Sequence, residues 1–125
     1  MIGKTNSQSK AKHNYSTDEQ VVGTWIDGKP LYEKTIYVGS GFVSGTNNIS
    51  HNISNFEKAV KINGVMQKSG QYSRPIGEEI NIGDYSAGVD TVNATTIKLI
   101  IGNGIIDDNL LDNLAITLQY TKTTD

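Results

Sequence analysis

Cysteine is absent from this chain of 125 residues. Disulfide staples, iron–sulfur clusters and thiol nucleophiles are therefore excluded, and the redox compartment stays open. Histidine occurs only at His13 and His51, far apart, whereas a zinc site needs three or four convergent ligands. No apolar run approaches the roughly 18 residues of a membrane span. The opening Met1-Ile2-Gly3-Lys4-Thr5 lacks the apolar stretch of a secretory signal. Net charge is only −2, so the basic footprint of a nucleic-acid binder is missing. Lys4, Lys10 and Lys12 read as a solvated tail rather than a binding arm. Nucleophile elbow, P-loop and dinucleotide fingerprint are absent. Gly39-Ser40-Gly41-Phe42-Val43-Ser44-Gly45 is glycine-rich but lacks the Lys-Ser/Thr ending that cradles phosphates.

What is present favours short strands. Thirteen glycines, frequent Thr, Asn and Ile, and little Ala or Leu suit sheets and turns better than helices. The length fits one domain with a moderate core. Residues 1–19 are polar and without periodicity, and read as a leader or a junction to an upstream region. Within them Ser16-Thr17-Asp18-Glu19 either caps a helical turn or approaches the body extended. Residues 20–125 form the predicted domain.

Asp27-Gly28 lies between two apolar, β-branched runs and predicts a hairpin through a type I′ turn. Trp25 and Ile26 fall on one arm and Leu31 to Val38 on the other. Pro30 belongs at a strand start or on an edge. Gly39 to Asn48 reads as loop, and Ser54-Asn55-Phe56-Glu57 has capping-box spacing for a brief helical turn. Asn63-Gly64, between Ala59–Ile62 and Val65–Lys68, predicts a second hairpin. Gln71 to Ile76 is a short strand ending at Pro75, and Ile80-Asn81-Ile82 continues with period two toward Gly83. Thr95 to Ile101 places Ile97, Leu99 and Ile101 on one face. Ile105 to Asn113 is expected as a loop with apolar anchors. The last strand alternates most cleanly, with Leu114, Ile116, Leu118 and Tyr120 on one side and Ala115, Thr117, Gln119 and Thr121 on the other. Seven or eight such strands predict an all-β, antiparallel β-sandwich or jelly-roll-like domain. No internal repeat suggests a shaft.

Two stretches carry a family likeness. The run from Tyr15-Ser16-Thr17-Asp18-Glu19-Gln20 through Trp25-Ile26-Asp27-Gly28-Lys29-Pro30-Leu31-Tyr32 resembles a segment of bacteriophage and prophage tail proteins. There it opens a C-terminal module of tail-fibre or minor structural proteins. The ending, Ile116-Thr117-Leu118-Gln119-Tyr120-Thr121-Lys122-Thr123-Thr124-Asp125, is a second matching piece. Together they bracket nearly the whole chain, while the middle matches only loosely. The resemblance implies a distal head domain of a tail fibre, assembled as a homotrimer in the virion tail after synthesis in the host cytoplasm. Its implied partners are other tail-fibre or baseplate proteins and a bacterial surface glycan, with no nucleic acid, membrane insertion, cofactor or metal. A structural trimerisation cap without ligand is the alternative reading, and a small glycoside hydrolase a third.

Candidate contact residues follow from chemistry. A sugar's apolar face stacks on an aromatic ring while its hydroxyls pair with polar side chains. Tyr72, Arg74, Asp84 and Tyr85 have that composition in turns and strand ends; Trp25 reads rather as core. His51, between Ser50 and Asn52, reads as a loop hydrogen-bonder. Asp107, Asp108 and Asp112 with Asn109 and Asn113 fail the calcium-loop pattern, lacking its alternating acids, sixth-place Gly and closing Glu. A hydrolase needs two opposed carboxylates, for which Glu79 and Asp84 are a nominal pair.

Overall fold

The structure, a computed structural model, describes residues 13–78 and 83–125. The predicted strand at Ile80–Ile82, Glu79 and residues 1–12 lie outside these. Nine strands occur among the described residues: β1 Gln20–Thr24, β2 Pro30–Val38, β3 Gly45–Ser50, β4 Phe56–Lys68, β5 Tyr72–Pro75, β6 Gly77–Glu78, β7 Ala87–Val92, β8 Thr96–Ile101 and β9 Asn113–Lys122. A one-turn helix, α1, spans Asn103–Asp107 between β8 and β9. The strands form a five-stranded sheet, β1-β2-β9-β4-β5, and a four-stranded sheet, β3-β8-β7-β6. All pairings are antiparallel except β6 with β7. The all-β expectation therefore holds.

The final strand is the centre of the larger sheet. Its alternation turns Leu114, Ile116, Leu118 and Tyr120 inward, each fully buried. From the smaller sheet, Ile97, Leu99 and Ile101 of β8 are buried likewise, as the sequence predicts. Ile36, Phe56, Met66 and Ile105 complete one cluster drawn from both sheets. Each such side chain contributes roughly 1.5–3 kcal/mol by leaving water. This shared core joins the two sheets.

Several local expectations are corrected. The Asp27-Gly28 hairpin exists, but its turn is longer than two residues. Thr24 pairs with Pro30, Trp25 N–H donates to Lys29 O at 2.8 Å, and Gly28 N–H donates to Trp25 O at 2.9 Å. Only Gly28 has positive φ, at 89°, so Ile26-Asp27-Gly28 forms a three-residue loop closed by a left-handed glycine rather than a type I′ turn. Asp27 Oδ1 accepts from Lys29 N–H, which fixes the loop locally. Trp25 and Ile26 thus sit in the turn, Trp25 only half-buried and Ile26 exposed. Pro30 does begin β2.

Asn63-Gly64 makes no turn. β4 runs unbroken through it, pairing Asn63 with Thr117 and Gly64 with Ile116 of β9. A Cβ on Gly64 would lie 3.1 Å from Ile76, so the missing side chain makes room for a neighbour instead of bending the chain. Ser54-Asn55 forms a turn with Asn55 at φ 57°, and Phe56 begins β4; no helix forms. The loop expected to Asn48 ends earlier, because Gly45–Ser50 pairs with β8 as an edge strand. Part of the Ile105–Asn113 loop is instead α1, whose Ile105 is a core residue, while Leu111 anchors as predicted. Ser16 follows the extended alternative: its Oγ accepts from Asp18 N–H, and its carbonyl from Thr35 N–H.

Candidate binding site

The five-stranded sheet has a second face, turned away from the core. Register places three rows across it: Gln20–Glu33–Gln119–Lys61, then Thr35–Thr117–Asn63, then Tyr37–Ala115–Val65–Pro75. The first two rows are polar and the third apolar. A half-solvated sheet face normally leaves such charges in water. Here residues 13–16 lie across the first row, and Glu33 is only 2 % exposed.

Burial of that carboxylate is compensated by two donors. His13 Nε2 donates to Glu33 Oε1 at 2.6 Å, and Gln119 Nε2 to Oε2 at 2.9 Å. An ionised group sheltered from water needs such partners, because desolvation penalises the charge. The Tyr15 ring lies 4.3 Å from the His13 ring, centroid to centroid, and is itself 67 % exposed. Around this group are two cavities that share His13 and Gln119. One, of about 160 Å³, is lined by His13, Tyr15, Glu33, Lys61, Asn63, Thr117 and Gln119. The other, of about 530 Å³, is lined by His13, Asn14, Gln20, Val21, Val22, Leu31 and Gln119. Together they offer amides, a hydroxyl, one ammonium and an open aromatic ring.

A separate polar network joins the ends of β2, β4 and β9. Tyr120 donates its hydroxyl to Glu19 at 2.6 Å, and Lys122 pairs with Glu19 at 2.7 Å. Burial first, and then the Glu19 carboxylate, push the Tyr120 phenol far above its usual value. Tyr32 stacks on Tyr120 at 5.8 Å and donates to Asp125, which raises the Tyr32 phenol. Lys29 and Glu57 meet at 2.9 Å, so the lysine is shifted up and the carboxyl down by their hydrogen bond.

The four residues singled out from sequence lie elsewhere. Tyr72 and Arg74 are on β5, half-buried, with Arg74 opposite the core residue Met66. The Tyr72 hydroxyl donates to Leu110 O at 2.7 Å. Asp84 and Tyr85 occupy the turn before β7, where the Asp84 carbonyl accepts from Ile105 N–H. Tyr85 donates to Asp108 at 2.8 Å, and that carboxylate raises its phenol. The two tyrosine hydroxyls thus converge on one turn, Asp108 to Leu110, which they tie to both sheets. Of the four, Tyr85 keeps an open ring, 52 % exposed.

His51 follows its ordinary reading. It is buried, its Nδ1 accepts from Ile53 N–H and its Nε2 donates to Asn93 O, so both nitrogens are engaged. Asp112 is held by Ser69 N–H and the Lys68 ammonium, and Ser69 chiefly lowers its pKa. Among the described residues no three His, Asp or Glu side chains converge as a metal site. Compared with family models, curated proteins and solved structures, the chain matches none.

Proposed function

We propose that this chain is the non-enzymatic head domain of a phage or prophage tail fibre, a homotrimer that holds a bacterial surface glycan beside His13 and Gln119. Its two sheets, joined by one core, are read as a β-sandwich. One observation carries the proposal. The stretch from Tyr15 to Tyr32 contributes Tyr15, Gln20, Val21, Val22 and Leu31 to the cavities, and the ending contributes Thr117 and Gln119. The two segments that resemble tail-fibre proteins are therefore neighbours and share the lining with His13, Asn14, Glu33, Lys61 and Asn63.

The lining agrees with contact rather than hydrolysis. Amides and a hydroxyl match sugar hydroxyls, and the open Tyr15 ring suits the apolar face of a pyranose. Among the described residues Glu33 is the one carboxylate lining either cavity, whereas a glycosidase sets two about 5 to 9.5 Å apart. Three copies per fibre turn weak single contacts into useful avidity. The apolar row Tyr37–Ala115–Val65–Pro75 supplies surface for a neighbouring subunit, with Tyr37 58 % exposed.

The test is binding of the labelled chain to glycan arrays and to whole bacterial cells, alongside light scattering. A mass of three chains is expected, and Tyr15→Ala should weaken glycan binding about tenfold, or ~1.4 kcal/mol, with folding unchanged. A stable monomer counts against the assembly. Glycan binding indifferent to Tyr15→Ala moves the site elsewhere, and no glycan bound at all removes the attachment role.

A further inference from the structure

We infer that the smaller cavity selects glycans bearing an anionic group, carboxylate or phosphate, and that Lys61 recognises that group. This rests on reading the cavity as a glycan site and adds the charge of the ligand. Both carboxylate oxygens of Glu33 are taken, one by His13 and one by Gln119, and the group is buried. Among the described residues the one negative side chain in the lining is therefore fully paired.

Lys61 stands in the same row, opposite Gln119 on β4, and is exposed. It makes none of the ion pairs found among the described residues, although Lys29, Lys68, Lys98 and Lys122 each have a carboxylate partner. Asn63 and Gln119 flank it with amides. An incoming anion thus meets one ammonium and neighbouring N–H groups, with no exposed carboxylate among the described lining residues to repel it. Hydrogen bonds to ionised partners are about twice as strong as neutral ones, and a lysine ammonium serves as a compact point charge for either anion.

Two matched pairs of probes test this: tetragalacturonate against its carboxyl-reduced neutral form, and a phosphomannan fragment against its dephosphorylated form. Titrations at low salt should show the charged member of at least one pair bound roughly tenfold tighter, the preferred pair telling carboxylate from phosphate. Lys61→Gln should erase that preference, bringing the charged member's affinity down to that of the neutral one, and Lys61→Arg should keep it. Raising the salt should narrow it in the wild type. Equal binding of charged and neutral members, or a preference that survives Lys61→Gln, overturns the assignment while the glycan reading stands. Binding of none of the four probes overturns the assignment, and the glycan arrays and whole cells decide the glycan reading separately.

Discussion

Replacing Tyr120 by Phe isolates one hydrogen bond between β9 and the segment that leads into β1. The ring has no accessible surface and packs between Tyr32, at 5.8 Å, and Phe56, at 5.7 Å, and Phe retains those contacts. No cavity opens. What disappears is the hydroxyl donated to Glu19 at 2.6 Å. A hydrogen bond to a charged acceptor is worth about 1.5–3 kcal/mol. Glu19 is exposed and keeps Lys122, so the lower end, about 1.5 kcal/mol, is expected at neutral pH.

The alkaline limb makes the prediction sharper. The folded-state phenol is raised, chiefly by burial and then by Glu19, above an unfolded value near 10. Below that value the folded and unfolded states bind the same proton, and the contribution to stability is whole. Above it the unfolded chain loses the proton first, so stability falls by about 1.4 kcal/mol per pH unit for this one group. The Tyr120→Phe variant carries no such proton. Urea denaturation from about pH 8 to about pH 11 should therefore show the variant's deficit constant up to about pH 10 and shrinking above it. Tyr32 and Tyr85, also raised, are present in both proteins and cancel in the difference. A deficit unchanged at about pH 11 would mean that the phenol titrates alike in both states, and the burial reasoning would fail.

Three further outcomes follow from other parts of the fold. Leu118→Ala, at a position without accessible surface, should cost about 2–5 kcal/mol in urea denaturation. Gly102→Ala should cost about 3 kcal/mol or more. Its Cβ would stand 2.1 Å from the Gly83 carbonyl oxygen, a backbone atom, so hydrogen exchange should show the Gly83–Ser86 turn opening. Asp112, lowered first by Ser69 N–H and then by Lys68, contributes stability above its ordinary 3.8 and loses it as pH falls through the depressed value. The stability gap between wild type and Asp112→Asn should therefore close in acid below about pH 4, and a gap that persists there would contradict the assignment.

β8 and β9 were legible because their alternation is forced: each has one face in the common core, and a one-residue slip would expose every Ile and Leu. Turn chemistry was legible in place but not in kind. Asp27-Gly28 marks a real reversal, yet Asp27 keeps negative φ because the loop needs only one left-handed residue. Asn63-Gly64 carries the same local signal and forms none, since Ile76 occupies the space over Gly64 and β9 pairs along both residues. Local propensity cannot report a neighbour supplied by a different strand. α1 escaped for a similar reason: five residues are too few for intrinsic helicity, and its support comes from the Asp84 carbonyl and from burial of Ile105.

The site was hidden more deeply. Glu33 reads as an ordinary solvent-facing charge in β2, and its burial comes from His13, far along the chain, and from Gln119 on the central strand. Only the cross-strand register brings Gln20, Glu33, Gln119 and Lys61 into one row. That register also divides β9 by parity. Its even positions, Leu114 to Tyr120, hold the two sheets together, while Thr117 and Gln119 line the cavity on the opposite side. The core contacts and the cavity lining thus run along the same backbone on opposite faces. The strand that is easiest to read for its core carries, on the side that looked merely polar, the residues that define the cavity.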